Sequence, residues 1–114
     1  MDECLFCQVI KGEVPTTVVY ENEVVLAFED IQPQMPVHVL IVPKQHFASL
    51  SDDIPLDILG QLFSTAKKVA EIKGIKDKGY RVIVNTGDDA QQTVHHLHVH
   101  VLGGALMNIG SPAV

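Results

Sequence analysis

The sequence predicts an α+β domain with a five-stranded antiparallel sheet, one long helix and a short N-terminal helix. Short β-prone runs follow one another with brief turns, and one stretch carries apolar residues at three- and four-residue steps. The 114 residues are the size of a single domain, residues 1–114. Only the long helix could provide a parallel crossover, which disfavours a doubly wound sheet.

The first half of the chain predicts one helix and three strands. Residues 4–11 have helix-like apolar spacing and end at Gly12. Residues 18–20 and 24–28 are β-prone runs around a short polar turn, and we expect them to form a hairpin. After an irregular loop at residues 31–36, residues 38–42 form a β-branched strand closed by Pro43.

The second half predicts the long helix and two further strands. Asp52, Asp53 and Pro55 are typical of a helix start, and Gly74 suits its C-terminal cap. Residues 80–84 and 94–102 are strands, with a polar loop at 85–93 between them. The apolar face of the helix comprises Leu59, Leu62, Phe63, Ala66, Val69 and Ala70.

The composition excludes several classes of function. Eight Lys and Arg stand against fourteen Asp and Glu, and the formal charge of -6 disfavours binding to nucleic acid or anionic membranes. No apolar run approaches the ~20 residues of a membrane span. The acidic start Met1-Asp2-Glu3 does not resemble a signal peptide. We therefore expect a cytoplasmic protein.

Histidines are concentrated in the last predicted strand. Side chains alternate across a strand, so His96, His98 and His100 share one face and the apolar residues between them share the other. Such a row fits two kinds of site: an open catalytic zinc, or covalent catalysis by a neutral imidazole. The spacing does not separate these two interpretations.

The loop before the histidines offers hydrogen-bond donors. Asn85-Thr86-Gly87 and Gln92-Thr93-Val94 place amides, hydroxyls and backbone N–H groups beside the strand, where an anion could bind. A phosphate next to a nucleophilic histidine indicates phosphoryl or nucleotidyl transfer. Taken alone, the loop is more typical of an ordinary polar turn than of an anion site.

Both cysteines lie in one motif, Cys4-Leu5-Phe6-Cys7. Two cysteines three residues apart do not form a framework of disulfides, so they indicate metal ligands, a redox pair or buried thiols. A redox pair usually begins a helix that follows a strand, and here only three residues precede the motif.

The sequence resembles the histidine triad superfamily, in particular its Hint branch of nucleoside phosphoramidases. Residues 96–102 fit the family pattern of three histidines alternating with apolar residues. The other matching stretches are residues 28–34, 36–38, 41–46 and 102–104. The resemblance implies a purine nucleotide substrate, no catalytic metal, and a homodimer in which two sheets join into one.

The resemblance also implies a role for each matched residue. His98 would attack the α-phosphorus, while the backbone carbonyl of His96 holds the Nδ1 hydrogen of His98. His100, Gln92 and the backbone at Val94 would bind the phosphate oxygens. The remaining substrate-binding residues would be Asp30 for the ribose, Ile31 for the base, His38 as a fourth histidine, Asn85, and Thr93 for protonating the leaving amine.

Many bacterial relatives with this Cys-x-x-Cys motif bind a structural zinc ion. The corresponding ligands here would be Cys4, Cys7, His46 and His96, a set that suits tetrahedral zinc. His95 points away from His96 in the alternation and is expected at the surface or an interface.

Two departures from the family pattern bear on the substrate. Gln91 stands where the family has glycine, and the tail after Gly104 lacks a tryptophan found in some relatives. Two alternatives to phosphoramidate cleavage remain: hydrolysis of dinucleoside polyphosphates, and a zinc-stabilised nucleotide-binding or scaffold protein with little turnover.

Overall fold

The short β-runs of the sequence pair into one antiparallel sheet of five strands. The computed structural model describes residues 4–108. In chain order the elements are α1 (Leu5–Ile10), β1 (Val18–Glu21), β2 (Val25–Glu29), β3 (Val37–Pro43), α2 (Leu56–Ile72), β4 (Tyr80–Ile83), a 3-10 turn (Asp88–Ala90) and β5 (Val99–Gly103). The strands pair in the order β1-β2-β3-β5-β4. All four pairings are antiparallel, which confirms the predicted α+β fold with one antiparallel sheet.

A helix covers each face of this sheet. Alternate residues of β2, β3 and β5 pack against α2 and form the larger core, centred on Ile41, Leu62 and Val99. The intervening residues, including Phe28 and Leu40, pack against Phe6 and Val9 of α1. Helix α1 has only six residues, too few to be stable alone, so its position depends on contacts with the sheet.

The ends of α2 differ from each other in how well the sequence predicts them. Gly74 is confirmed at the C-terminal end: its φ is +74°, and Gly74 N–H and Ile75 N–H donate to the carbonyls of Glu71 and Ala70. At the other end, the predicted position of the start is confirmed, since the helix begins at Leu56 after Pro55, but the predicted capping by an acidic side chain is wrong. Pro55 occupies the N-cap without a side-chain hydrogen bond, and Asp52 instead accepts from the N–H of Ala48.

The predicted apolar face of α2 also needs a correction. Phe63 is 44% exposed, whereas Thr65 is buried with Leu62 and Ala66. The small side chains on this face allow the helix to lie close to the sheet, and the bulky Phe63 lies outside the contact. No helix among residues 4–108 is long and apolar enough to cross a membrane.

Strand β5 is shorter than predicted, because it begins at Val99 and not at residue 94. Its last pair with β3 is Ile41 with Val99, so Pro43 would lie opposite Leu97. Proline has no N–H to continue the ladder, and its carbonyl accepts from the ring of His96. His96 and His98 therefore lie in the segment that leads into the strand.

Candidate active site

Four buried histidines lie on the α1 side of the sheet. His38 comes from β3 and His100 from β5, while His96 and His98 come from the segment before β5. The predicted alternation holds despite the shorter strand, since Leu97, Val99 and Val101 pack in the α2 core. The fold therefore collects the histidines on one face, as the sequence predicted.

Hydrogen bonding determines the tautomer of His98. Its Nδ1 lies 2.7 Å from the carbonyl oxygen of His96, and a carbonyl can only accept, so Nδ1 carries the hydrogen. The other nitrogen, Nε2, then has a free lone pair. Phe6 of α1 packs edge-on against the ring, with centroids 5.0 Å apart, and holds its orientation.

A chain of hydrogen bonds determines the tautomers of His38 and His100. The backbone N–H of Gln34 donates to Nδ1 of His38 over 3.0 Å, so a neutral His38 carries its hydrogen on Nε2. That Nε2 donates to Nδ1 of His100, also over 3.0 Å. The hydrogen of His100 is therefore on Nε2, a buried atom without a hydrogen-bond partner among the described residues. Because buried donors are nearly always paired, this atom is suited to bind a ligand oxygen.

Burial keeps these imidazoles neutral. Burial, and to a smaller extent the neighbouring His98 and His38, together lower the pKa of His100 from 6.5 to about 3. Burial also lowers the pKa of His98 and of His38, against the opposing effect of the Asp30 carboxylate on both. For His98, the hydrogen bond to the His96 carbonyl raises the pKa as well. A neutral His98 can act as a nucleophile at physiological pH.

The low pKa of His100 predicts a loss of stability in acid. An unfolded histidine takes up its proton near pH ~6.5, whereas folded His100 does so only near 3, so acid favours the unfolded state. The contribution of neutral His100 to the free energy of unfolding is complete above pH ~6.5 and decreases as the pH falls towards 3. Between pH ~6 and ~4, we expect the free energy of unfolding of wild type to fall about 1 kcal/mol per pH unit more steeply than that of His100→Asn.

Urea unfolding at several pH values measures this difference. The groups that face His100 are His98, His38 and Asp30, and all three are present in both proteins. Asparagine keeps an acceptor for His38 and removes the titrating ring. If the free energy of unfolding fell equally steeply with pH in wild type and in His100→Asn, the low pKa of His100 would be contradicted.

The histidines open onto a cavity of about 500 Å³, which is large enough for a small-molecule ligand. One part of its wall is apolar and includes Phe6, Val9 and Phe28. Its charged lining residues are Glu29 and Asp30, and no Lys or Arg of the described chain lines it. An anion bound here would therefore depend on neutral donors.

Most of the predicted substrate-binding residues lie in the wall of this cavity. They are Asp30, Ile31, His38, Thr93, Val94, His98 and His100. The Asp30 carboxylate is positioned by the N–H of Gln32 at 2.8 Å, and Ile31 is 85% exposed at the rim. Asn85 does not line the cavity, so its substrate role stays a prediction without support from the geometry.

Gln92 also lies outside the cavity wall, because its side chain holds the loop together. Its Nε2 donates to the carbonyls of Ala48 and Val94, and its Oε1 accepts from the N–H of Gly87. The side chain is 6% exposed, and its amide oxygen and nitrogen are both hydrogen-bonded. In this arrangement Gln92 supports the loop from behind. The sequence contains no signal for this role, since one of the partners, Ala48, lies 44 residues away in the chain.

The four predicted zinc ligands converge beside the catalytic segment. Cys4 Sγ lies 3.3 Å from His96 Nδ1, Cys7 Sγ lies 3.4 Å from His46 Nδ1, and the two Nδ1 atoms are 3.0 Å apart. In tetrahedral zinc with these donors, neighbouring ligand atoms are about 3.3–3.8 Å apart. The Nε2 hydrogen of His96 bonds to the Pro43 carbonyl, which leaves the His96 Nδ1 lone pair towards the sulfurs. The donor set fits zinc and the two sulfur–nitrogen distances match this range, while the two Nδ1 atoms lie about 0.3 Å closer together than zinc would hold them.

A second group of potential metal ligands, Asp30, His38 and His100, does not fit a metal as well. His38 would have to ligate through Nε2, the atom that carries its hydrogen while Nδ1 accepts from Gln34. A metal there would displace the hydrogen bond from His38 to His100 and the 3.4 Å contact of His38 Nε2 with the Asp30 carboxylate. We therefore interpret this group as a hydrogen-bond relay.

Comparison with known proteins agrees with the fold and the motif. The family model described as HIT domain matches residues 11–107. A 14 kDa zinc-binding protein of Zea mays is 48% identical over 108 residues, which cover 91% of this chain and 84% of that protein. The adenylylsulfatase HINT1 of Arabidopsis thaliana is 44% identical over 108 residues, covering 91% and 73%. The solved structure of a HIT family hydrolase of Legionella pneumophila superposes with a TM-score of 0.90 at 43% identity, covering 95% and 98%.

Proposed function

The chain belongs to the HIT domain family, and we propose that it is a hydrolase that cleaves purine nucleoside phosphoramidates through a nucleotidyl intermediate on His98. The observation that carries this proposal is the 2.7 Å hydrogen bond from His98 Nδ1 to the His96 carbonyl. It leaves Nε2 as a neutral nucleophile in a cavity where His100 presents an unpaired donor.

In the first step, the Nε2 lone pair of His98 forms a bond to the α-phosphorus, and the bond from phosphorus to the leaving nitrogen breaks. The leaving nitrogen keeps that electron pair and accepts a proton, which the Thr93 hydroxyl relays from water. In the second step, a water oxygen bonds to phosphorus and releases a proton, and the phosphorus–Nε2 electron pair returns to His98. The products are the nucleoside monophosphate and the amine.

The donor on His100 stabilises the charge that develops on the phosphate oxygens. Its Nε2–H is held in place through His38 and the backbone of Gln34, so no reorganisation is needed during the reaction. A preorganised donor of this kind contributes on the order of 10²–10³ in rate. The Asp30 carboxylate, which lies close to His38 and His100, suits the ribose hydroxyls, and Ile31 with the apolar wall suits the base.

The charges of the cavity favour a phosphoramidate over a dinucleoside polyphosphate. Each further phosphate adds negative charge close to Asp30, and no Lys or Arg of the described lining compensates it, since Lys73 lies outside the lining and pairs with Glu29. The same transfer applies to a sulfate leaving group, and the Arabidopsis relative is named an adenylylsulfatase.

Turnover of three substrates tests the proposal. Purified protein is incubated with an adenosine 5′-phosphoramidate, with adenylyl sulfate and with a diadenosine polyphosphate, and AMP is quantified. We expect kcat/KM for the phosphoramidate to exceed that for the polyphosphate by at least about 100-fold, or ~2.7 kcal/mol of differential transition-state binding. If the polyphosphate were cleaved faster than the phosphoramidate, the protein would instead be a dinucleoside polyphosphate hydrolase. If none of the three substrates were turned over, the protein would instead be a nucleotide-binding or scaffold protein.

We further propose a structural zinc ion and a homodimer. The ligands Cys4, Cys7, His46 and His96 support the zinc, as does the zinc-binding name of the Zea mays relative. Cysteines that ligate a metal suit a reducing compartment, so we propose a cytoplasmic location. Strand β4 lies at the sheet edge and leaves one row of backbone groups for a second copy. A monomer mass in sedimentation would contradict the dimer.

A further inference from the structure

Gln91 has a backbone conformation that its side chain disfavours. Its φ of 62° and ψ of 39° lie in the left-handed region, and among residues 4–108 every other residue with positive φ is glycine. The surrounding loop imposes this conformation. Gln91 N–H donates to the Asp88 carbonyl and Gln92 N–H to the Gly87 carbonyl, while the buried Gln92 amide holds both ends. A glycine here would be free of the strain.

The strained residue directs a polar side chain to the cavity. Gln91 lines the same cavity as Thr93 and His98, and it is exposed to solvent. Its side-chain amide makes no hydrogen bond within the described part of the chain, in contrast to that of Gln92. Strained backbone conformations cluster at functional sites, so the conformation of Gln91 in this cavity indicates a functional role.

We propose that Gln91 is a specificity-determining residue whose amide hydrogen-bonds a polar group on the leaving amine. This rests on the proposed function, in which Thr93 lies on the leaving-group side of His98. An amide offers donors and an acceptor, so it can recognise a carboxamide or a hydroxyl. A carboxylate is disfavoured because Asp30 lines the cavity without a lining Lys or Arg, and the turn before Gln91 adds the exposed Asp88 and Asp89. The substrate class is therefore a nucleoside phosphoramidate whose amine carries an uncharged polar group.

Three adenosine phosphoramidates of nearly equal size test this preference. Their amines are β-alaninamide, the apolar isostere 3-methylbutylamine and the carboxylate β-alanine. We expect wild-type kcat/KM for the carboxamide to exceed that for the apolar isostere about fivefold to tenfold, the effect of one net hydrogen bond. The carboxylate is expected to react more slowly than the carboxamide.

Two variants separate recognition from strain. In Gln91→Gly and in Gln91→Ala, the ratio of the carboxamide to the apolar substrate is expected to fall to about one, because both lack the amide. Gln91→Gly relieves the strain and should melt about 4 °C above Gln91→Ala. Gln45→Ala, which removes an exposed amide after β3 and outside the cavity wall, is the matched control and should keep the wild-type ratio.

The outcomes distinguish this inference from the function on which it rests. Turnover of the substrates with the same ratio in wild type and Gln91→Gly would overturn the role of Gln91 and leave the proposed function standing. If wild type turned over the carboxamide and the apolar substrate with equal kcat/KM, this result would also overturn the role of Gln91 and leave the proposed function standing. No turnover of any of the three by wild type would overturn the proposed function together with this inference.

Discussion

Replacing His98 with alanine is expected to lower kcat/KM for an adenosine phosphoramidate at least ~10⁴-fold, the usual scale for loss of a covalent nucleophile. The variant loses the Nε2 lone pair, and no other imidazole can take its place. His100 carries hydrogen on its Nε2, and the free nitrogen of His96 faces the cysteines. Rapid-quench trapping should show one nucleotidyl group on wild type and none on the variant.

His95→Ala is the control for this experiment. His95 precedes the same segment but is exposed and does not line the cavity, so its loss should change kcat/KM less than twofold, or about 0.4 kcal/mol. Retained binding of the product AMP would show that the His98→Ala cavity is intact. Turnover that survives in His98→Ala would exclude His98 as the nucleophile.

The sheet was predictable from the sequence because its strands alternate polar and apolar residues or are continuously apolar. In residues 96–101 each histidine is followed by an apolar residue, and this period of two identifies which side faces α2. The start of β5 was not predictable in the same way. It depends on Pro43, which is distant in sequence and lies opposite Leu97 only once the strands are paired.

The site was predictable in residue type but not in hydrogen bonding. The resemblance identified His38, His98 and His100 as members of one site, and the structure brings them together. Their tautomers depend on the Gln34 N–H and the His96 carbonyl, backbone groups that sequence patterns do not report. For the same reason the sequence suggested a phosphate contact for Gln92, whose amide is used within the loop.

His96 contacts both the proposed nucleophile, through its backbone, and the proposed metal site, through its side chain. Its carbonyl orients His98, its Nε2–H bonds to Pro43, and its Nδ1 faces the cysteines. Cys4 is the N-cap of helix α1, and this helix carries Phe6, which packs against His98. A zinc ion on these ligands would hold both the helix that forms the cavity wall and the carbonyl that orients the nucleophile.

Removing this metal site is therefore expected to cost much stability. A ligand present at 1,000 times its Kd stabilises a folded protein by about 4 kcal/mol, which corresponds to roughly 15 °C in Tm for a domain of this size. We expect about one zinc per chain after purification without metal-chelating resin, and almost none in a Cys4→Ser/Cys7→Ser variant. Melting curves with and without a chelator measure the loss in wild type. Hydrogen exchange should increase most in α1, which is too short to remain helical alone.

A matched pair of histidine variants separates loss of metal from loss of packing. His46 and His95 are both exposed, so without a metal either change to alanine should alter stability by less than about 0.5 kcal/mol. With zinc bound, only His46→Ala removes a ligand, and only its Tm and zinc content should fall. Equal melting of the two variants, together with a wild-type Tm that a chelator leaves unchanged, would rule out a structural zinc ion. The position of α1 would then depend on Phe6 and Val9 alone.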